Sequence, residues 1–318
     1  MMAKSETKLM QGVAIMIMIF YHLFNPSDVQ NYNDTLIGSV AKVNNPVPLY
    51  VILSGIGLYY KYRQGNDGNK LKRCFSLYLR FWTILTLFLL VGLAIGKKYN
   101  LDFITIVLNY TVWHSGYYLP AWFILPYVIL ALGYNFIFRF FDKLNLLLSI
   151  FVFYGIYLMS SYLNSYLFFR LNVFQTFYIV FPFIVGAIIA KYNVVSKIKD
   201  WFDNKNAFIP YILILLLVIL RYFVPTGAVI SFYYAALIIL VSGAKKHVLV
   251  QKVLLSLGKA SVNMWLIHAW LCWYLFSDFF YSLGNPALIF IAVTLVSYLL
   301  SKCFDALFSL IPIFKKTN

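Results

Sequence analysis

The sequence predicts an all-α fold, a polytopic membrane helix bundle of about ten transmembrane helices with both termini cytoplasmic. Residues 1–318 are expected to form a single membrane domain with no separate soluble part. Two observations carry this. The chain is 62% hydrophobic and only 11% charged, whereas roughly a quarter of an average soluble domain is charged. Its basic residues also fall in alternate loops, as orientation in a membrane requires.

Apolar windows long enough to cross about 30 Å of hydrocarbon occur at 9–24, 47–62, 74–96, 118–138, 146–163, 173–190, 207–222, 228–243, 257–277 and 286–308. The first resembles the apolar core of a signal peptide, but no small-residue cleavage site follows it, so it is expected to be retained. No internal repeat of the inverted-transporter kind is visible.

Laid on these windows, twenty Lys and Arg residues fall on one side: Lys4, Lys8, Lys61, Arg63, Lys70, Lys72, Arg73, Arg139, Lys143, Lys191, Lys197, Lys199, Lys205, Lys245, Lys246, Lys252, Lys259, Lys302, Lys315 and Lys316. Five fall on the other, namely Lys42, Lys97, Lys98, Arg170 and Arg221, and Arg80 is left inside a span. This asymmetry puts both ends of the chain in the cytoplasm. The net charge of +16 then needs no nucleic-acid partner, because anionic lipid faces the loops that carry it. Cys74, Cys272 and Cys303 fall within spans without metal-binding spacing and read as small apolar fillers.

Polar groups inside apolar spans are costly and therefore informative. They concentrate in the first, second, third, fourth and ninth spans, while the fifth to eighth and the tenth read mostly as filler. In the first, Gln11 and His22 share a face about three turns and roughly 16 Å apart, with Lys8 one turn below Gln11. The bland reading anchors Lys8 and His22 at the two headgroup layers. In the second, VPLYVILSGIGLYY, Ser54, Gly55 and Gly57 leave a thin strip for a neighbouring helix or a ligand. In the third, KRCFSLYLRFW, Arg73 stands at the boundary and Arg80 about 10 Å deeper. Arg80 either snorkels back or offers a guanidinium to a phosphate. In the ninth, SLGKASVNMWLIHAW, Ser261 and His268 share one face, and Lys259 and Asn263 form another polar edge.

Together these stretches resemble the integral membrane acyltransferase 3 family, whose members O-acylate surface polysaccharides and related glycans. LMQGVAIMIMIFYH is similar to the family's basic residue, Gly and His pattern, with Gln11 in the basic position. KRCFSLYLRFW resembles its basic third helix, although Ser76 and Leu79 stand where a second base and a proline are common. VPLYVILSGIGLYY, LPAWFILPYVILAL and LGKASVNMWLIH resemble its Pro to Ser-Gly, Trp-Phe and Gly-basic-Ser to His segments.

The resemblance implies transfer of an acyl group, acetyl in the leading case, from cytoplasmic acyl-CoA to a sugar hydroxyl, with acetyl-CoA as a substrate and no bound cofactor. Lys72, Arg73, Arg80 and Lys259 would meet the anionic donor, with Lys8 replacing the charge that Gln11 lacks. His22 would be the base or an acyl carrier. Ser54, Asn263 or His268 would orient it or stabilise the oxyanion. Tyr118 and Trp122 would stack sugar rings, unless they belong to an interfacial aromatic belt with Tyr117. The expected setting is the bacterial plasma membrane, the expected acceptor a capsular or exopolysaccharide repeat unit, lipid-linked or already polymerised, and homo-oligomerisation stays open. A flippase or transporter for a glycan, and a non-catalytic scaffold, are the competing classes; neither requires His22.

Overall fold

The computed structural model describes residues 2–25, 32, 34–65, 68–163 and 171–314, so that Arg170, Lys315 and Lys316 lie outside the described residues. Among the described residues the chain forms fourteen α-helices and no strand. Ten of the helices occupy the ten apolar windows. They are α1 (Lys4–Phe24), α3 (Val47–Arg63), α4 (Lys70–Ala94), α6 (Ile124–Lys143), α7 (Leu146–Leu163), α8 (Gln175–Lys191), α10 (Ile209–Phe223), α11 (Ile230–Gly243), α12 (Val248–Ala269) and α14 (Pro286–Ser309). Four short helices were not expected: α2 (Leu36–Val43), α5 (Phe103–Tyr110), α9 (Val194–Asp203) and α13 (Ser277–Tyr281).

Among the described residues, seven helical stretches are long and apolar enough to cross a membrane, and α10 and α11 are shorter apolar helices. The polar load of α12 (Gln251, Lys252, Lys259, Asn263 and His268) distinguishes it from these. Several helices begin where the sequence supplies a side-chain acceptor for free amides. Asn69 caps α4 by accepting from the Lys72 amide, and Asn285 caps α14 by accepting from Ala287 and Leu288. Bases close several helices where the dipole favours positive charge, as with Arg63 on α3 and Lys191 on α8.

The chain forms two compact units: Met1–Asn66, Tyr134–Leu158 and Ile179–Ser261 make the first, and Asp67–Gly133, Met159–Tyr178 and Val262–Asn318 the second. In the first, glycines let backbones touch. A Cβ at Gly258 of α12 would overlap the Lys8 carbonyl of α1, and one at Gly12 of α1 would overlap the Leu254 carbonyl. Gly55 of α3 and Gly186 of α8 meet in the same way. Gly57, by contrast, faces open space. The small residues of the second span are thus accounted for at Gly55 by packing.

Polar ties complete this unit. Asp142, at the end of α6, accepts from Tyr59 at 2.9 Å and pairs with Lys191 at 3.1 Å and Arg63 at 3.8 Å. Arg221, expected at the outer end of the seventh span, is buried in the last turn of α10. Its guanidinium donates to the Val43 carbonyl and, at 2.7 and 2.9 Å, to those of Val224 and Thr226. The seventh span is therefore not mere filler: a buried cation ties the end of α2 to the turn after α10.

In the second unit α5 folds back along α4. Tyr78, Trp82 and Thr86, which lie roughly 12–24 Å along the α4 axis, bond to Thr111 or Tyr110 at 3.1, 2.8 and 2.7 Å. Irregular backbone thus stands halfway along a spanning helix, an arrangement that lipid tolerates only when the backbone groups are satisfied by protein or water.

Gly258→Leu should abolish the folded protein or lower its stability by at least about 3 kcal/mol, because backbone rather than a movable side chain fills the space. Gly57→Leu should change it by less than about 1 kcal/mol. Thermal unfolding of both variants in detergent measures the contrast; equal midpoints would show that α1 and α12 do not pack through Gly258.

Candidate active site

Halfway along α4, the Arg80 side chain is drawn into a three-residue network within the second unit. Its Nη1 donates to Asn263 Oδ1 at 2.7 Å and to Asp305 Oδ1 at 3.0 Å. Asn263 Nδ2 donates to the same Asp305 oxygen at 2.9 Å and to the Ser301 carbonyl at 3.3 Å. The rings of Phe308 and Phe314 each lie 4.7 Å from the guanidinium carbon, which adds cation–π attraction to a charge-assisted pair. The tenth span, read as filler, therefore supplies the carboxylate. Asp305 is the one acid in that window, and the cost of an acid in an apolar helix is the signal that could have found it.

Arg73, two turns nearer the start of α4, is half-buried and reaches the Ala131 carbonyl with Nη2 at 3.4 Å. Its buried Nε has no partner among the described residues. Lys72 lines an open groove of about 840 Å³ with Phe75, Tyr78 and Ile313. This groove and the Arg80 network both draw on the end of the chain.

In the first unit, His22 occupies the last turn of α1, half-buried, with its ring 5.2 Å from that of Tyr21. Lys8 is half-buried and Lys259 exposed. The Gln11 side chain has a buried Oε1 without a hydrogen-bond partner among the described residues, an unpaired acceptor in an apolar helix. Ser54 turns its hydroxyl back to the Tyr50 carbonyl at 3.0 Å.

The second unit also holds His268, fully buried, with Nδ1 3.2 Å from the Met264 carbonyl one turn back. Just beyond it the helix widens into a π turn at Trp270–Tyr274, a distortion that often accompanies functional sites. Ser261, the first unit's neighbour in sequence, donates to the Gly258 carbonyl at 3.0 Å.

Tyr118 is only 2% exposed. Its ring stacks on Trp270 at 5.2 Å, Phe88 stacks on Trp270 at 5.4 Å, and its hydroxyl donates to the Trp265 carbonyl at 2.7 Å. Its ring is thus already engaged within the protein, whereas Trp122 is half-buried beside Phe123. Between α5 and Tyr118, Val112 adopts φ 60°, a left-handed conformation that a β-branched residue pays for with strain. Asn172 Nδ2 holds the Val112 carbonyl at 2.9 Å, and Asn109 Oδ1 accepts from the Tyr117 amide at 2.8 Å. The loop so pinned exposes Trp113 and His114, two residues that hydropathy had passed over because they lie between windows. Cys74 and Cys272 are buried, whereas Cys303 is exposed, so the filler reading fails for the last.

Asp305→Ala should lower stability by about 1–3 kcal/mol, since it leaves a guanidinium and an amide without their shared acceptor. A double-mutant cycle with Arg80→Met should give a coupling of about 1 kcal/mol or more; additive losses would mean that the pair does not interact.

A family model described as an acyltransferase domain matches residues 6–304. No curated protein and no solved structure matches the chain. The matched range includes His22, the basic segment of α4, and Lys259 through His268, and it ends one residue before Asp305. With several apolar helices and a match over nearly its whole length, the chain is a multi-pass membrane protein that belongs to the acyltransferase 3 family.

Proposed function

We propose that this membrane acyltransferase is an O-acetyltransferase of the bacterial plasma membrane, which moves acetyl from cytoplasmic acetyl-CoA to a hydroxyl of a capsular or exopolysaccharide unit. The observation that carries the reading is the family match across residues 6–304, which takes in both intramembrane histidines and the arginines of α4.

A sugar hydroxyl is a weak nucleophile and needs a base as it attacks the thioester carbonyl. His22 takes that proton. The tetrahedral oxyanion collapses, the carbon–sulfur bond breaks, and the departing thiolate recovers the proton from the imidazolium. Acylation of His22 itself, followed by transfer to the sugar, is the two-step form of the same reaction. His268 and Ser54 serve as orienting or oxyanion-stabilising groups.

Arg80 and Arg73 meet the phosphates of the donor. Supporting this, Arg80 carries donor groups on a rigid helix, and Arg73 has an unspent buried N–H. Asp305 then acts as the resting counter-ion that an incoming phosphate must share or displace. Asn263, whose amide is engaged at both ends by this network, supports Arg80 rather than the oxyanion. Lys72, Lys259 and Lys8 add positive charge for the nucleotide, Lys8 standing in for the charge absent at Gln11. Trp122 and an opened Tyr118 would hold the acceptor sugar.

Membranes containing the protein, supplied with radiolabelled acetyl-CoA and the host glycan fraction, should transfer label to glycan. His22→Ala, expressed at the normal level, should lower transfer by about a hundredfold or more. No transfer by the intact protein, with donor and acceptor present, would overturn the reading. In the same assay Lys8→Ala should impair transfer more than Gln11→Ala; equal indifference would remove Lys8 from the site.

A further inference from the structure

The first unit contains a pocket of about 220 Å³, where the start of α1, the end of α11, the start of α12 and the short helix α9 come together. Its walls include Glu6, Lys199, Asp203, Ser242, Lys245 and Lys246. None of these residues is used in the acyl-transfer reading.

The unspent hydrogen-bonding capacity of this pocket is mostly donor. Both oxygens of Glu6 are occupied, Oε1 by Lys199 Nζ at 2.8 Å and Oε2 by the Ala3 amide at 2.9 Å. Lys246 Nζ donates to the Ala244 carbonyl at 2.6 Å, which leaves further N–H groups on the ammonium. Lys245 makes no ion pair among the described residues. The Ser242 hydroxyl is buried, the residue being 7% exposed, and has no partner among the described residues. Against these donors stand the carboxylate of Asp203, the lone pairs that Glu6 retains and the Gln251 amide oxygen, while three ammonium groups outnumber the two carboxylates.

The charges point the same way. Burial lowers the Lys246 pKa from the usual lysine value despite the opposing pull of the Glu6 carboxylate, and the Lys199 ammonium adds to the lowering, whereas the hydrogen bond from Lys199 to Glu6 raises the pKa of Lys199. A desolvated ammonium beside an orphan hydroxyl is stabilised by an oxyanion that accepts from both. The volume equals that of roughly seven liquid water molecules, enough for a phosphate and a few attached atoms.

We propose that this pocket binds a phosphate ester, held by Lys245, Lys246 and the Ser242 hydroxyl. Two molecules carry that chemistry to a membrane protein: an anionic lipid through its headgroup, and a nucleotide-bearing donor through its phosphates. The second source rests on the acyl-CoA reading; the first does not.

The test measures thermal unfolding of the full chain in uncharged detergent, with coenzyme A or with micelles doped with phosphatidylglycerol. Potassium chloride at matched ionic strength is the control. At least one probe should raise the midpoint saturably above the control, and Lys246→Gln should weaken that binding at least tenfold. Ser242→Ala, a change too small to endanger folding, should weaken it severalfold. A shift from coenzyme A alone identifies a nucleotide phosphate, and one from phosphatidylglycerol alone identifies a headgroup. No shift beyond that of the chloride control, or a dissociation constant unchanged in both variants, would overturn the proposal. Because no acyl group moves in this assay, its failure is separable from failure of the transfer reaction.

Discussion

A charged group placed in hydrocarbon must bring its partner with it, and this chain meets that constraint with ties that also position helices. Arg80 draws α12 and α14 to α4 through Asn263 and Asp305. Arg221, with no acid at hand among the described residues, spends its donors on the carbonyls of Val43, Val224 and Thr226. Asp142 gathers the ends of α3, α6 and α8 through Tyr59, Arg63 and Lys191. Between helices already surrounded by lipid, apolar contact offers little net drive. Polar ties and glycine contacts are then what set register.

The polar residues of the spans divide accordingly. Ser54 and Ser261 have committed their hydroxyls to carbonyls of their own helices, and Asn263 its amide to the Ser301 carbonyl and the Asp305 carboxylate of α14. The Gln11 Oε1 acceptor, the Arg73 Nε donor and the Ser242 hydroxyl are all buried with no partner among the described residues. A buried polar atom without a partner costs on the order of 1–3 kcal/mol. That cost is the physical reason to look for water or a ligand at these atoms rather than at the satisfied ones.

The helices were legible because length and hydropathy are local properties: the fifth window, 146–163, coincides with α7. Features that depend on distant partners were not. Asp305 stood in the sequence as one acid in an apolar run, but only packing shows that Arg80 faces it across a separation of 225 residues. The short α5 escaped because eight residues cannot span a bilayer, so a hydropathy window reads them as loop. Of the other unexpected features, α2 and α9 lie between windows, where a hydropathy scan reads loop, while α13 and the buried Arg221 lie at window edges, where boundaries are least certain. Of the candidate site, the identities of the residues could be read beforehand; which of them bond to one another could not.

The π turn at Trp270–Tyr274 resets the geometry of everything after His268. A π turn accommodates one residue more than the α-helical ladder allows, so a helical wheel drawn through 257–277 at a constant angle slips out of phase at Ala269. Residues that such a wheel would assign to the same stripe as Ser261 and His268 are rotated off it. Tyr274, which accepts from the Leu119 amide at 2.9 Å, owes its direction to that slip. Removing a single residue from this turn would leave every side chain chemically intact while turning the downstream face, so the information held there is an angle rather than an identity.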